Sequence, residues 1–196
     1  MWDERYASDV FAYGTEPNDF LMEHASMLSG PVLSLAEGEG RNAVFLASLG
    51  LQVLGVDSST VGLAKAQKLA ALKGVSIQTA TVDLATYTPP ADSFGAVVSI
   101  SAHLPSQVRK RLHWLVAQSI KPGGVIMLEG YSQAQINRNT GGPKDADMLL
   151  AQSDIEQEFP DFEVLLSREV EREVIEGSFH TGLASVVQFI GKRKAK

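Results

Sequence analysis

Between residues 31 and 131, apolar runs of strand length alternate with segments of helical period, a pattern that admits few folds. A strand followed by a crossover helix pairs with the next strand in parallel, so the alternation predicts a mostly parallel sheet with helices on both faces. Residues 31–36 read as a buried strand and 41–49 as the helix after it, with Gly50 placed to end that helix. Residues 51–56 and 61–73 repeat the unit, with Ser58 and Ser59 as N-cap candidates and Gly74 as the stop. Further strands follow at 75–82, 96–101 and 125–131, the last two separated by a helix over 105–120 and the turn Lys121-Pro122-Gly123-Gly124. Then the pattern changes. A Gly-rich loop at 139–143 and a helix near 147–158 precede two long strands, 162–175 and 183–191, which flank residues 177–182 and read as an antiparallel hairpin closing the sheet. Ahead of the first strand, Phe20, Leu21, His24, Met27 and Leu28 share one face of a helix predicted to begin near Pro17. The 196 residues are expected to form one α/β domain: a lid and helix over 1–30, a binding core over 31–131, and a loop, helix and hairpin over 132–196.

In parallel sheets of this kind, ligands bind beyond the carboxyl ends of the strands where the winding direction reverses, so the residues just after each strand carry the information. The first such turn runs Ala36-Glu37-Gly38-Glu39-Gly40-Arg41-Asn42-Ala43, where Gly38 and Gly40 permit a tight bend and close approach of a ligand to bare backbone. Asp57 ends the second strand, where its carboxylate can accept from both hydroxyls of a ribose, each bond contributing about 1.5–3 kcal/mol. Helix capping is the ordinary alternative. Asp83 follows the third strand and can accept an adenine amine while Leu84 packs on the ring; a turn aspartate is the ordinary alternative there. Gly38-x-Gly40-x-x-Ala43 also fits a dinucleotide fingerprint, so a nicotinamide-dependent oxidoreductase competes with the other reading. Charge separates the two. Glu37 and Glu39 would repel a pyrophosphate, yet they suit the sulfonium and ammonium of S-adenosylmethionine, with Arg41 available for its carboxylate.

Composition narrows the partners. A net charge of -6 opposes a polyanion, and the basic residues Lys192, Arg193, Lys194 and Lys196 read as a solvated tail, so no nucleic acid is expected. No run approaches the roughly 20 apolar residues of a membrane span, and the first nine residues are acidic and polar, so a cytoplasmic protein is expected, as a monomer or weak homodimer. The absence of cysteine excludes disulfides, thiolate zinc sites and a cysteine nucleophile, and four scattered histidines show no metal-ligand spacing.

The segments 35–43, Asp57 and 121–124 resemble the Rossmann-like S-adenosylmethionine-dependent methyltransferases, and Gly40-Arg41-Asn42-Ala43 in its setting is similar to the tellurite-resistance and thiopurine-type small-molecule enzymes. Trp2-Asp3-Glu4-Arg5-Tyr6, Tyr13-Gly14-Thr15-Glu16-Pro17-Asn18-Asp19-Phe20, His103-Leu104-Pro105, Thr140-Gly141-Gly142-Pro143 and Glu176-Gly177-x-x-His180 are similar to bacterial relatives of these enzymes along nearly the whole chain. The resemblance implies a three-layer sandwich around a mostly parallel seven-stranded sheet with the final hairpin at one edge. It also implies cofactor contacts at Gly38, Asp57 and Asp83, to which the residue reading adds Tyr13, Ala36, Glu37, Gly40, Ser58, Leu84 and Ser99. One departure stands out. The superfamily carries an acidic residue where Ser34 stands and a glycine where Ala36 stands, so Glu37 is expected to supply the carboxylate for the cofactor ammonium.

A small-molecule methyl acceptor is expected beyond the fourth strand, in Ser99-Ile100-Ser101-Ala102-His103-Leu104-Pro105, which lacks the Asn/Asp-Pro-Pro-aromatic pattern of enzymes that methylate nucleic-acid amines. His103 can act as a base on a thiol or hydroxyl, or pack and cap ahead of Pro105; both readings are open. Tyr131, at the end of the fifth strand, and His180, with Arg172 and Glu176, are the other acceptor-side candidates, against an exposed hairpin edge laced with salt bridges. The aromatic density of Trp2, Tyr6, Phe11 and Tyr13 predicts a lid over the crevice. A non-catalytic S-adenosylmethionine-binding protein is the remaining alternative.

Overall fold

A computed structural model describes residues 2–195. Its sheet holds seven strands: β1 (Val32–Leu35), β2 (Val53–Asp57), β3 (Gln78–Thr81), β4 (Phe94–Ile100), β5 (Ile120–Tyr131), β6 (Phe162–Glu176) and β7 (His180–Arg193). Their order is β3-β2-β1-β4-β5-β7-β6. The first five strands are parallel, while β7 runs antiparallel between β5 and β6. The winding reverses between β1 and β4, which opens a crevice at their carboxyl ends.

Alternation along each strand builds the two faces. Val32 and Met127 face one apolar layer with Leu46 of α3 (Arg41–Ser48), Leu69 of α4 (Thr60–Leu72) and Phe20 and Leu21 of α2 (Asp19–His24). Leu33 and Ile126 face the other, with Leu112 and Val116 of α5 (Ser106–Ser119) and Ile155 of α6 (Gln152–Glu158). Each such fully buried aliphatic side chain contributes about 1.5–3 kcal/mol, so the two layers hold the crevice rigid. The architecture is the expected α/β three-layer sandwich, with the antiparallel hairpin at one edge.

Several boundaries differ from the sequence reading for local reasons. The third strand spans four residues rather than 75–82, because it is the sheet edge and Val75 N–H still closes the end of α4 on the Ala70 carbonyl. The helix near 147–158 is split into a 3-10 turn, Ala146–Met148, and α6. Between them, Leu150 N–H donates to the Tyr131 carbonyl at 2.9 Å and its carbonyl accepts from Gln133, which holds this segment extended. The leading helix starts after Asn18, whose Oδ1 accepts from Leu21 N–H at 3.1 Å. It passes into a 3-10 turn at Ala25–Met27, leaving Met27 outside the packed face. A first helix, α1 (Trp2–Tyr6), was not anticipated. Among the described residues, no helix is long and apolar enough to cross a membrane.

Candidate active site

A cavity of about 680 Å³ opens at the carboxyl ends of β1, β2 and β4. Its floor begins in the turn after β1. Ala36 adopts φ of 50°, a left-handed conformation that glycine would hold without the roughly 1–2 kcal/mol an L side chain costs. Glu37 then folds back beneath the turn. Its Oε1 accepts from Ala43 N–H at 2.9 Å, at the start of α3, and its Oε2 accepts from Ser34 Oγ. Burial pushes this carboxyl up to about 7, against the pull of those two hydrogen bonds and of Arg41. The serine at 34 thus serves the glutamate three residues on.

Asp57 lies beside that turn. Its two oxygens accept from Gly38 N–H at 2.9 Å and Ser59 N–H at 2.8 Å, and the further lone pair on each is available to ligand hydroxyls. Burial raises its pKa, with the backbone bonds acting in the opposite direction. Ser58 lines the cavity, whereas Ser59 caps α4 by accepting from Gly62 N–H at 3.0 Å. Asp83 and Leu84 line the same end, with Asp83 Oδ1 also accepting from Ala85 N–H in its own turn.

The roof is the N-terminal segment. Tyr6 of α1 is 5% exposed and packs where Gly38 and Gly62 lack side chains: a Cβ on Gly38 would lie 2.7 Å from its hydroxyl, and one on Gly62 would lie 2.9 Å from its ring. Lys65 on α4 donates to the carbonyls of Ser8 and Val10, and Glu39 Oε2 accepts from Ala12 N–H at 2.7 Å. At the far side, Ser178 N–H donates to the Ala12 carbonyl, and Gly177 fits against residues 12–14 with no room for a Cβ. The segment is therefore a strap from α4 to the hairpin tip. Tyr13, within it, lines the cavity and contacts His180 at a ring separation of 4.6 Å.

Elsewhere the cavity lining holds two imidazoles with different ties. His103 Nε2 accepts from Tyr131 N–H at 2.9 Å, and the ring also bonds to the Ser101 carbonyl. Burial, and to a lesser extent His180, lowers its pKa to about 3, so it is a neutral ring with both nitrogens bound to backbone. The base role open to His103 from sequence thus has no spare lone pair in this geometry. His180 directs Nδ1 at Glu176 Oε2, 3.3 Å away, and lines the cavity. Gly141 brings the Gly-rich loop close to both histidine and tyrosine: a Cβ there would lie 2.7 Å from His180 Cδ2 and from the Tyr131 hydroxyl.

Three expected contacts lie elsewhere. Gly40 faces α4, where a Cβ would lie 2.6 Å from Ala66, so its role is helix packing. Ser99 is paired between Leu35 and Leu128 and turns with them into the sheet interior, one residue short of the crevice. Tyr131 stacks on His103 and lies under the Gly142 backbone, so it forms the support behind the cavity wall. Arg172 and Glu176 do not bracket an open acceptor site. Arg172 pairs with Glu129 at 2.6 Å, Glu176 pairs with Arg41 at 2.8 Å, and Asn18 Nδ2 donates to both carboxylates at 2.8 Å. The capping role of Asn18 was readable locally; this second role depends on contacts with residues more than a hundred positions away.

Residues 32–124 match the family model described as a methyltransferase domain. No curated protein sequence matches the chain. A structure concerned with conversion of a disulfide bond into a thioacetal group during echinomycin biosynthesis superposes with a TM-score of 0.75 at 17% identity, covering 98% of this chain and 88% of that one. TehB from Haemophilus influenzae gives 0.73 at 16% identity over 98% of this chain and 66% of its own. An S-adenosylmethionine-dependent methyltransferase from Anabaena variabilis gives 0.70 at 17% identity, with 98% and 92% covered. The chain shares the Rossmann-like α/β fold of those structures. Several structures of this fold are S-adenosylmethionine-dependent methyltransferases, and with the methyltransferase-domain match over residues 32–124 they imply S-adenosylmethionine as the cofactor.

The cavity fits that cofactor. Asp57 lines it with a carboxylate at the end of β2, Glu37 and Glu39 occupy the turn where a dinucleotide would place its pyrophosphate, and Arg41 Nη1 is a buried donor without a hydrogen-bond partner.

Proposed function

We propose that the protein methylates a small, soft nucleophile such as a thiol or a selenium or tellurium oxyanion. The observation that carries this reading is the acceptor end of the cavity: Leu104, Met148, Pro143 and Phe179 supply apolar walls, and His180 is the imidazole with a nitrogen uncommitted to protein. S-adenosylmethionine supplies an electrophilic methyl group when bound. Asp57 and Glu37 hold its cationic and hydroxyl-bearing parts, and Asp83 and Leu84 take the adenine. Glu176 accepts from His180 Nδ1–H, which leaves Nε2 to take the proton of an acceptor thiol; an oxyanion needs no such transfer. His180 and the apolar walls would hold the acceptor with its lone pair in line with the methyl group the cofactor would supply. His103 keeps the wall rigid. The strap of residues 2–14 excludes water, and catalysis is chiefly positional. A cavity of about 680 Å³ and a net charge of -6 favour a small molecule over a nucleic acid.

The test is incubation with S-adenosylmethionine and a panel of thiols, selenite, tellurite, halides and phenols, with mass-spectrometric detection of both products. His180→Asn should lower turnover of the confirmed acceptor at least about tenfold with little change in cofactor affinity. Cofactor binding without product from any acceptor would favour a non-catalytic binding protein, and preferential binding of a nicotinamide dinucleotide would overturn the assignment.

A further inference from the structure

Arg5, on α1 in the strap, is exposed at the rim of the cavity that it also lines. Its guanidinium carbon lies 5.2 Å from the Trp2 ring centre and 5.0 Å from the Phe179 ring centre, so the cation is held by an indole of the strap and a phenyl of the hairpin tip. Nη1 donates to the Tyr13 hydroxyl at 2.9 Å. A guanidinium carries several further N–H donors, and among the described residues no carboxylate pairs with this one. The carboxylates that line the same cavity are engaged elsewhere: Glu37 with Ser34 and Ala43, Glu39 with Lys65, Asp57 with Gly38 and Ser59, and Asp83 with Ala85. The rim therefore offers an oriented, positively charged fork with donors to spare. Tyr13 links it to His180, because the ring whose hydroxyl accepts from Arg5 lies 4.6 Å from the imidazole ring.

We propose that Arg5 determines acceptor specificity and that the acceptor is a small thiol acid, its carboxylate received by the remaining N–H donors of Arg5 while its sulfur lies at His180. The inference rests on the thiol reading above and narrows it. A selenium or tellurium oxyanion keeps its charge and its nucleophilic atom together, and so has no second end for Arg5. The planar guanidinium matches a carboxylate through two parallel N–H donors. Its aromatic contacts restrict its rotamers before the ligand arrives, so less conformational freedom is lost on binding. A clasp that only joined α1 to the hairpin tip would make the same aromatic contacts but would read no charge on the acceptor.

The experiment compares kcat/KM at saturating S-adenosylmethionine for matched acceptors: mercaptoacetate against 2-mercaptoethanol, and 3-mercaptopropionate against 3-mercaptopropanol, with selenite and tellurite alongside. Wild-type protein should prefer each acid over its alcohol. Arg5→Gln should lower the acid-to-alcohol ratio about tenfold. Arg5→Lys keeps the charge and loses the planar fork, so it should lower the ratio less, and it decides the question if the glutamine variant does not fold. Because Arg5 is exposed, the wild-type preference should also shrink as ionic strength rises to about 1 M, where screening is strong. No preference in the wild type, or a ratio left unchanged in Arg5→Gln because acids and alcohols lose equally or not at all, would overturn the inference. Turnover of selenite or tellurite with neither thiol class would overturn it as well and leave the soft-nucleophile reading standing. Turnover of none of these acceptors would overturn both.

Discussion

Replacing Glu37 by glutamine should stabilise the protein at neutral and alkaline pH while leaving it unchanged in acid. Glu37 is 6% exposed, and burial moves its carboxyl from 4.5 to about 7 in the fold. Between those values the unfolded chain releases a proton that the folded chain retains. The unfolded state then binds fewer protons, so stability falls as pH rises through this window. Below the window both states are neutral at this site; above it the loss is complete. At about 1.4 kcal/mol per pH unit the full loss is about 3 kcal/mol. Glutamine stays neutral throughout, keeps an acceptor for Ala43 N–H, and can donate its amide to Ser34 Oγ, so it keeps the two contacts seen in the fold. Urea unfolding of both proteins at pH 5 and pH 8 isolates the effect, because every other carboxylate titrates alike in the pair. The difference in unfolding free energy should grow by about 2.5 kcal/mol in favour of the variant across that range, corresponding to about 5–10 °C in Tm for a chain of this size. Parallel pH profiles for the two proteins would refute the claim that Glu37 is held neutral by burial.

Asp57→Asn removes the charge opposite the proposed ribose position but keeps one oxygen for the turn, so it should raise the Kd for S-adenosylhomocysteine about tenfold or more; unchanged affinity by calorimetry would sink the assignment. Removing residues 1–14 should leave the sheet folded by circular dichroism, lower turnover and weaken cofactor retention, because Tyr6, Tyr13 and the contacts to Lys65 and Gly177 are lost together. Full turnover in the truncated protein would show that the strap is not a lid. Away from the cavity, Glu158 accepts from buried Arg109 at 3.0 Å and contacts buried His113 Nδ1 at 2.5 Å, its own side chain 7% exposed. Glu158→Gln should therefore cost about 3 kcal/mol in chemical denaturation by leaving Arg109 without its main counter-charge, and a loss well under 1 kcal/mol would contradict that account.

The fold was legible because its signals are local. Strand-length runs alternating with helical period oblige a parallel sheet, and the same periodicity places Asp57 and Asp83 just past strand ends, where parallel sheets bind ligands. The acidic residues Glu37 and Glu39 in the turn after the first strand were also visible, and they carried the expectation of S-adenosylmethionine over a dinucleotide. What the tertiary structure alone decided is which neighbours each side chain meets. Gly40 has the spacing of a ligand-binding glycine, yet it meets Ala66 across two helices; Ser99 ends one residue before the crevice; Tyr131 stacks on His103 instead of lining the cavity. The hairpin charges, readable as an exposed edge, are drawn inward because Asn18, Glu129 and Arg41 arrive from other elements to satisfy Arg172 and Glu176. Backbone periodicity is set within a few residues of sequence, whereas the partner of a buried charge is set by which distant segments the core brings together, and that requires the packed chain.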